Sequence, residues 1–573
     1  MSGNAGTPGE SGGAMKAGAR PPARRTPSPG SHGRTAWARL RAYWLTPAGV
    51  AMLAATALAL AIRLYTLTRP GYLTGVTEYD DGVYLGAAVR LLQGALPYRD
   101  FAFVQPPGIL LLMAPVAVLA KVSTATHAMA AARLLTAAAS TACVPLAGSL
   151  VRYRGVLVTV VTCGFLAVYP DDITTAHTLL LEPWMNLCLL AGTGLAFRRG
   201  RLRSPWWLLW AGVAFGVAGA VKYWAALPAA VLLLTCLLAG TQGGWLRRAG
   251  SYALGVTAGF AVPVLPFFAA APAAFVRSTL LDQAERAGTQ VPLSLRLAHI
   301  TGLIDFLNGR GRFSLHAGVH SLFASGSAAT TSSASAGWLP FYVAVIAAAA
   351  LVIGYLWETG RPSPLEWFAL ATVAVTAAAV LSYSAFFYHY PDFVAPWLAI
   401  AAGCAAGALP SGLAGQAAAR RVLIGAAGLV ILAVAVFQAR EVTGLHTTDI
   451  YPDKALIPAG ACVVTDETSL AIAADRFTAA GPDCPDVIDS LAMTLVLGNG
   501  VSVQGGAASL PDVVAAWQAT FARARYVWLS PNSPRRIPWT PGLISWFNAH
   551  FQPLAPAGGR GLGVVYARTG RPG

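Results

Sequence analysis

The sequence predicts a mainly α, polytopic transmembrane helical bundle of about eleven spans, followed by a C-terminal extracytoplasmic α/β domain. Three observations predict it. The chain is 55% hydrophobic and only 11% charged, where an average soluble protein carries roughly a quarter charged residues. The apolar residues fall in runs close to the roughly 20 residues that cross a bilayer. From Gly444 onward the long runs stop, and short apolar stretches alternate with helix-like ones.

The elements follow in order. Residues 1–46 are rich in Gly, Pro, Ala and Ser and carry Lys16, Arg20, Arg24, Arg25, Arg34, Arg39 and Arg41. That composition predicts a disordered basic arm and not a cleavable signal. Spans are expected near 47–67, 127–150, 155–171, 176–197, 205–221, 223–240, 250–271, 338–357, 364–385, 393–409 and 421–439. Gly108–Lys121 contains Pro115 and has only about 14 residues, a length more typical of a re-entrant or interfacial segment.

Charge fixes the expected topology. The net charge of +16 sits in short clusters between apolar runs, a topological signal and not a nucleic-acid one. With the basic arm in the cytoplasm and 108–121 not crossing, Arg152–Arg154, Arg198–Arg203, Arg247-Arg248 and Arg420-Arg421 are all cytoplasmic. The first outer loop is then 68–108. The acidic residues Glu78, Asp80, Asp81, Asp100, Asp171, Asp172, Asp282, Glu285, Asp305 and Asp392 also fall outside, with Glu182 just below the boundary. Residues 47–443 form the membrane module. Within it, the Ser/Ala/Thr-rich stretch Ala324–Gly337 reads as a slack linker more than as a lid.

The tail, 444–573, reads as strands at 461–465, 525–529 and 563–566, with helices at 467–475 and 511–522. Cys143, Cys163, Cys188, Cys236 and Cys404 lie inside apolar runs and read as small core residues. Cys462 and Cys484 lie in the tail. They are free to pair if it is extracytoplasmic, and equally free to stay apart.

Chemistry concentrates in the first outer loop. Glu78, Asp80 and Asp81 fall at the start of a helix-like stretch, Gly82–Leu92, whose Leu85, Ala88, Val89 and Leu92 share a face expected to lie on the membrane surface. A helix cap accounts for one carboxylate, not three. Crowded carboxylates repel, which raises the pKa of one and suits it to general-base work. The loop continues through Tyr98, Phe101 and Phe103, aromatics suited to an interfacial belt, to Gln105-Pro106-Pro107.

An acidic pair near the end of the first helix, an aromatic shortly after it and a Pro-Pro turn before the next apolar run resemble the C-type (GT-C) glycosyltransferases. The likeness is strongest to the branch of protein O-mannosyltransferases and aminoarabinose transferases. That resemblance implies that Asp80 is the base or acceptor-positioning residue and that Asp81 takes the place of the family's Glu. It also implies substrate-binding roles for Tyr84 and for Gln105, where the family carries a basic residue. Glu78 and Arg99, in the same loop, are further substrate-binding candidates. Leu181-Glu182-Pro183, Gly219–Tyr223 and Tyr388-His389-Tyr390 resemble later family segments.

Each further candidate has a plainer reading. Lys222 is a snorkelling lysine or a phosphate ligand. Glu182 is a helix-start acid or orients the acceptor or Lys222. His389 and Tyr390 are an interfacial aromatic cluster or donors to phosphate or sugar. Arg63, Arg90 and Arg133 are further phosphate candidates. Asp171-Asp172 reads as a solvated turn. Paired carboxylates are compatible with a divalent cation, but no ligand spacing is specific and no metal or other cofactor is assigned.

The resemblance implies transfer of a sugar from a polyprenyl-phosphate donor to a glycan, lipid or protein acceptor hydroxyl at the outer face of the cell membrane. No Gly-rich phosphate loop, zinc spacing or basic-aromatic pattern points to nucleotide or nucleic acid. Alternative classes are a lipid or sugar transporter or flippase, and a scaffold whose working part is the tail. Against a transporter stand the absence of an internal repeat and the clustering of carboxylates outside the midplane.

Overall fold

The structure is a computed structural model that describes residues 3, 43–238, 244–284, 291–303, 362–408, 417–447, 451–477, 484–554 and 562–570. Pro47–Gly573 forms one compact unit. The expected span 338–357, the linker Ala324–Gly337, Glu285, Asp305 and nearly all of the basic arm lie outside the described residues.

The bundle begins with α1 (Pro47–Leu67), α2 (Tyr79–Leu92), α3 (Gly108–Val122), α4 (Ala125–Val151), α5 (Val156–Val168), α6 (Pro170–Ala176) and α7 (Glu182–Ala196). A short hairpin, β1 (Phe197–Arg198) and β2 (Arg201–Leu202), leads to α8 (Pro205–Val221), α9 (Ala226–Leu238), α10 (Trp245–Ala270) and α11 (Leu293–Ile300). It closes with α12 (Pro364–Ser382), α13 (Ala395–Ala408) and α14 (Ala417–Thr443). Among the described residues, five helices are long and apolar enough to cross a membrane, or six if α5 and α6, bent by 53°, count as one. Shorter apolar helices, α3, α8 and α13 among them, pack between these, so the chain is a multi-pass membrane protein.

Sequence explains the local choices. Proline opens α8 and α12, where its missing N–H costs nothing. Ser363 and Glu366 form a reciprocal capping box on α12. On α8 and α10, Gly212 and Gly216 face Gly255 and Gly259 so closely that a Cβ would strike the opposite backbone. Small residues four apart let two membrane helices meet backbone to backbone.

The ends of the helices gather at two poles. At one, Arg154 pairs with Glu366, and Leu365 N–H donates to Gly200 O at 3.2 Å, joining the basic turns 152–154 and 198–203. The other holds α2, Lys222, the 383–393 turn and the C-terminal layer. Both ends of α3 lie at this second pole. Gly108 abuts the backbone of Ala220 and Val221, and just beyond Val122, Ala125 N–H donates to Asp475 at 2.8 Å. The helix has 15 residues, about 22 Å against a hydrocarbon core of about 30 Å. It runs along the pole.

The C-terminal layer is a four-stranded sheet, β3 (Val463–Thr465), β4 (Tyr526–Leu529), β5 (Phe551–Leu554) and β6 (Val564–Arg568), in the order β3-β4-β6-β5. β3 and β4 run parallel and the other pairs antiparallel. Helices α15 (Thr468–Ala473), α16 (Ser490–Leu497), α17 (Pro511–Arg523) and α18 (Pro541–His550) accompany it. Trp517, Phe521, Phe547 and Phe551 fill its core. Cys462 and Cys484 pair, with Cα atoms 5.5 Å apart. The expected strands and two helices are present; β5, α16 and α18 were not expected.

Several expectations are corrected. Leu85, Ala88 and Val89 do not face a membrane surface but are buried, because α15 covers α2 from the other side. Tyr98, Phe101 and Phe103 are interior, with Tyr98 against Phe275 at 4.9 Å between ring centroids. Residues 177–181 are not helical, so the span expected from 176 begins at Glu182. Asp171 and Asp172 are no solvated turn. They sit buried in α6, where Asp172 pairs with Arg63 at 2.6 Å and His299 Nδ1 lies 3.2 Å from Asp171.

Candidate active site

α2 starts with three carboxylates in three different environments. Glu78 is the N-cap residue, in extended backbone, and its side chain accepts from Tyr79 N–H at 2.9 Å. Its other oxygen accepts from Tyr388 OH at 2.5 Å. Burial, then the charge of Asp80, pushes the Glu78 carboxyl up to about 7, against the pull of these two hydrogen bonds. Asp80 is half-buried and accepts from Tyr84 OH, one helical turn on, at 3.2 Å. Asp81 is fully buried. It receives Arg133 Nη2 at 2.6 Å, Thr77 OH at 3.0 Å and the Leu179 N–H. A carboxylate so enclosed and neutralised anchors the helix, whereas Asp80 keeps an accessible edge.

Opposite lies a second group. Glu182 opens α7, and one of its oxygens meets both Lys222 Nζ and, at 2.8 Å, His389 Nδ1. The other oxygen is buried with no hydrogen-bond partner among the described residues. Lys222 caps α8, and its ammonium lies 4.4 Å from the centroid of the Tyr390 ring, a cation–π distance. Tyr388, which donates to Glu78, is followed in the chain by His389, which meets Glu182, so the two groups share one site. Burial raises the Tyr84 phenol well above its ordinary pKa, and the charges of Asp80 and then Glu182 raise it further.

Seven of the proposed residues therefore converge: Glu78, Asp80, Tyr84, Glu182, Lys222, His389 and Tyr390. Asp81 stands behind them. Arg99 does not join them; it is exposed and pairs with its neighbour Asp100 at 2.8 Å. Gln105 contributes its carbonyl, which accepts from Tyr98 OH at 2.5 Å. The arginines proposed for phosphate are engaged elsewhere, Arg63 with Asp172, Arg133 with Asp81 and Arg90 with Asp486. Among the described residues, no three His, Cys, Asp or Glu side chains gather as metal ligands.

Sequence reasoning missed Tyr388 as the partner of Glu78 and missed the C-terminal contribution altogether. Gly82 carried a signal. A Cβ there would strike the backbone of Thr468 and Ser469, and glycine inside a helix marks such close approach.

No protein-family description and no curated protein sequence matches the chain. Solved structures do. ArnT from Cupriavidus metallidurans bound to undecaprenyl phosphate is similar at a TM-score of 0.53 and 16% identity, over 90% of this chain and 97% of that one. The oligosaccharyltransferase of Archaeoglobus fulgidus, tethered with an acceptor peptide, gives 0.49 and 12% over 91% and 74%. The helical bundle with its α/β layer has the fold of the ArnT structure, in keeping with the resemblance seen in the sequence.

Proposed function

We propose that this chain is a membrane glycosyltransferase that moves a sugar from a polyprenyl-phosphate donor to an acceptor hydroxyl at the outer face of the membrane, with inversion. The observation that carries the reading is the convergence of Asp80 with the Glu182–Lys222–His389 group at one pole of a membrane bundle. The similarity to ArnT, whose solved structure holds undecaprenyl phosphate, agrees with it.

The lipid phosphate lies toward Lys222, whose ammonium offsets its charge. Asp80 takes the proton of the acceptor hydroxyl. That oxygen bonds to the anomeric carbon from the side opposite the phosphate, and the bond from that carbon to the phosphate oxygen breaks with its electron pair. Polyprenyl phosphate leaves as a dianion, and one displacement inverts the anomeric centre. Asp81, held by Arg133, keeps the helix start in place. His389 and Tyr390 line the phosphate side. The N-terminal arm is cytoplasmic, and the layer from 444 is an extracytoplasmic domain that closes the site.

The test uses the purified chain in liposomes that carry polyprenyl-phosphate hexoses and pentoses in separate samples. The expected result is release of polyprenyl phosphate from at least one donor when an acceptor hydroxyl is present. Movement of the lipid between leaflets with no release favours the transporter reading instead.

A further inference from the structure

The start of α2 is gripped from the C-terminal layer. Ser469, fully buried on α15, donates its hydroxyl to Glu78 O at 2.6 Å, with Tyr79 O 3.1 Å away. The same oxygen accepts from Gly82 N–H at 3.0 Å. Glu78 O and Gly82 N–H are four residues apart, the pair that an unbroken first helical turn joins directly. One hydroxyl from a segment 387 residues away in sequence bridges them instead.

Neighbouring contacts reinforce the grip. Tyr79 OH donates to Asp489 at 2.8 Å, and the Tyr79 ring lies 4.1 Å from the Arg536 guanidinium. Arg536 is held by Glu467 at 2.9 Å and Asp466 at 3.1 Å. Gly82 and Gly86 leave room for Thr468 and Ser469 to lie against α2.

We propose that Ser469 is a positioning residue for Asp80, a helix cap supplied to the first turn of α2 by the C-terminal layer. The proposal rests on the reading of Asp80 as the base. A side chain inserted in the hydrogen-bond ladder sets the spacing and pitch of the turn, and Asp80 sits within the span that Ser469 bridges. Removing the hydroxyl leaves the buried Gly82 N–H and the Glu78 carbonyl without the group that bridges them. The turn then frays, and the carboxylate moves.

The experiment compares the full chain with Ser469→Ala, Ser469→Cys and Ser469→Thr in lipid nanodiscs, by hydrogen exchange and by steady-state transfer. Ser469→Cys keeps the size of the side chain but replaces the hydroxyl with a weak donor, so packing is preserved while the cap is lost. In the Ala and Cys variants, exchange over residues 79–84 is expected to quicken roughly tenfold or more, while the rest of the bundle stays protected. Their kcat falls roughly ten- to a hundredfold, with donor KM changed by less than about twofold. Ser469→Thr restores the hydroxyl and recovers both readouts. Unchanged exchange in the Ala and Cys variants overturns the proposal, as does faster exchange with full kcat. A wild-type chain that transfers nothing from any donor refutes the reading of the reaction, and the exchange measurement still decides whether Ser469 is the cap.

Discussion

Glu78 is the titrating group whose behaviour the site makes most specific. Its carboxyl is raised from 4.5 to about 7 by burial and by Asp80. The folded state therefore holds a proton that the unfolded chain releases near its ordinary pKa. This contribution to stability is complete below about pH 4.5 and is lost as pH rises through about 7. Glu78→Gln is expected to remove that contribution, so thermal unfolding across this window shows the variant losing less stability than wild type. Lys222 and Arg99 make a contrasting pair. Lys222 is buried between Glu182 and the Tyr390 ring, whereas Arg99 is exposed. Lys222→Met is expected to raise donor KM roughly ten- to a hundredfold, as loss of a charge-assisted hydrogen bond does. Arg99→Ala is expected to change it by less than about twofold. Equal effects in a transfer assay would remove Lys222 from the phosphate site. Sequence marked these residues by type and place and offered Lys222 as a partner for Glu182, a pair the structure contains, but it did not give the other pairings. Asp81 meets Arg133 across 52 positions and Glu182 meets His389 across 207, and pairings at such separation leave no local pattern.

Among the elements, α2 shows where local reading stops. Its helical period and acidic start are visible in the sequence, and it spans Tyr79–Leu92. Its surroundings are not visible, because α15, which covers it, comes from the far end of the chain. A helix with one apolar face reads as interfacial until the second cover is known. Gly82, Gly86 and the Asp81–Arg133 pair fix it in place. Asp81→Asn leaves Arg133 buried without its counter-charge and is expected to destabilise the fold by about 3–5 kcal/mol. Thermal unfolding in lipid checks this, and a variant as stable as wild type would deny Asp81 its anchoring part. The Cys462–Cys484 bridge closes the segment that holds Asp466 and Ser469 and leads into Asp486 and Asp489, which grip Arg90 and Tyr79. With the cysteines 22 positions apart, chain entropy alone gives the bridge about 3 kcal/mol. Reduction is expected to speed proteolysis and exchange in 462–490 while α4 and α8 stay protected.

For the whole molecule, hydropathy and charge were enough to place most of the bundle. The stretches 47–67 and 205–221 are helices over those same residues, because a bilayer demands long apolar runs with internally paired backbone. The same counting made 108–121 a non-crossing segment, and α3 begins and ends at one pole. The tail was legible in three of its four strands. β5, with Gln552 and Pro553 in the middle of its four residues, carries no apolar alternation to announce it. Cysteine labelling from either side of a sealed vesicle checks the topology. Ser123→Cys is expected to react from the same side as Thr569→Cys, and Arg199→Cys from the other. Labelling of Ser123→Cys from the side opposite Gln93→Cys, an exposed position ahead of α3, would make α3 a true crossing and invert every span after it.

The central claim, that Asp80 takes a proton from an acceptor attacking a lipid-linked sugar, is tested most directly by Asp80→Asn. The variant keeps the size and hydrogen bonding of the side chain and loses its basicity. Transfer is measured in proteoliposomes with whichever polyprenyl-phosphate sugar the wild type consumes, beside a measurement of polyprenyl-phosphate binding. The expected result is a fall in transfer of roughly a hundredfold or more with lipid-phosphate binding intact. Transfer by Asp80→Asn at the wild-type rate, from a properly inserted protein, would contradict the account.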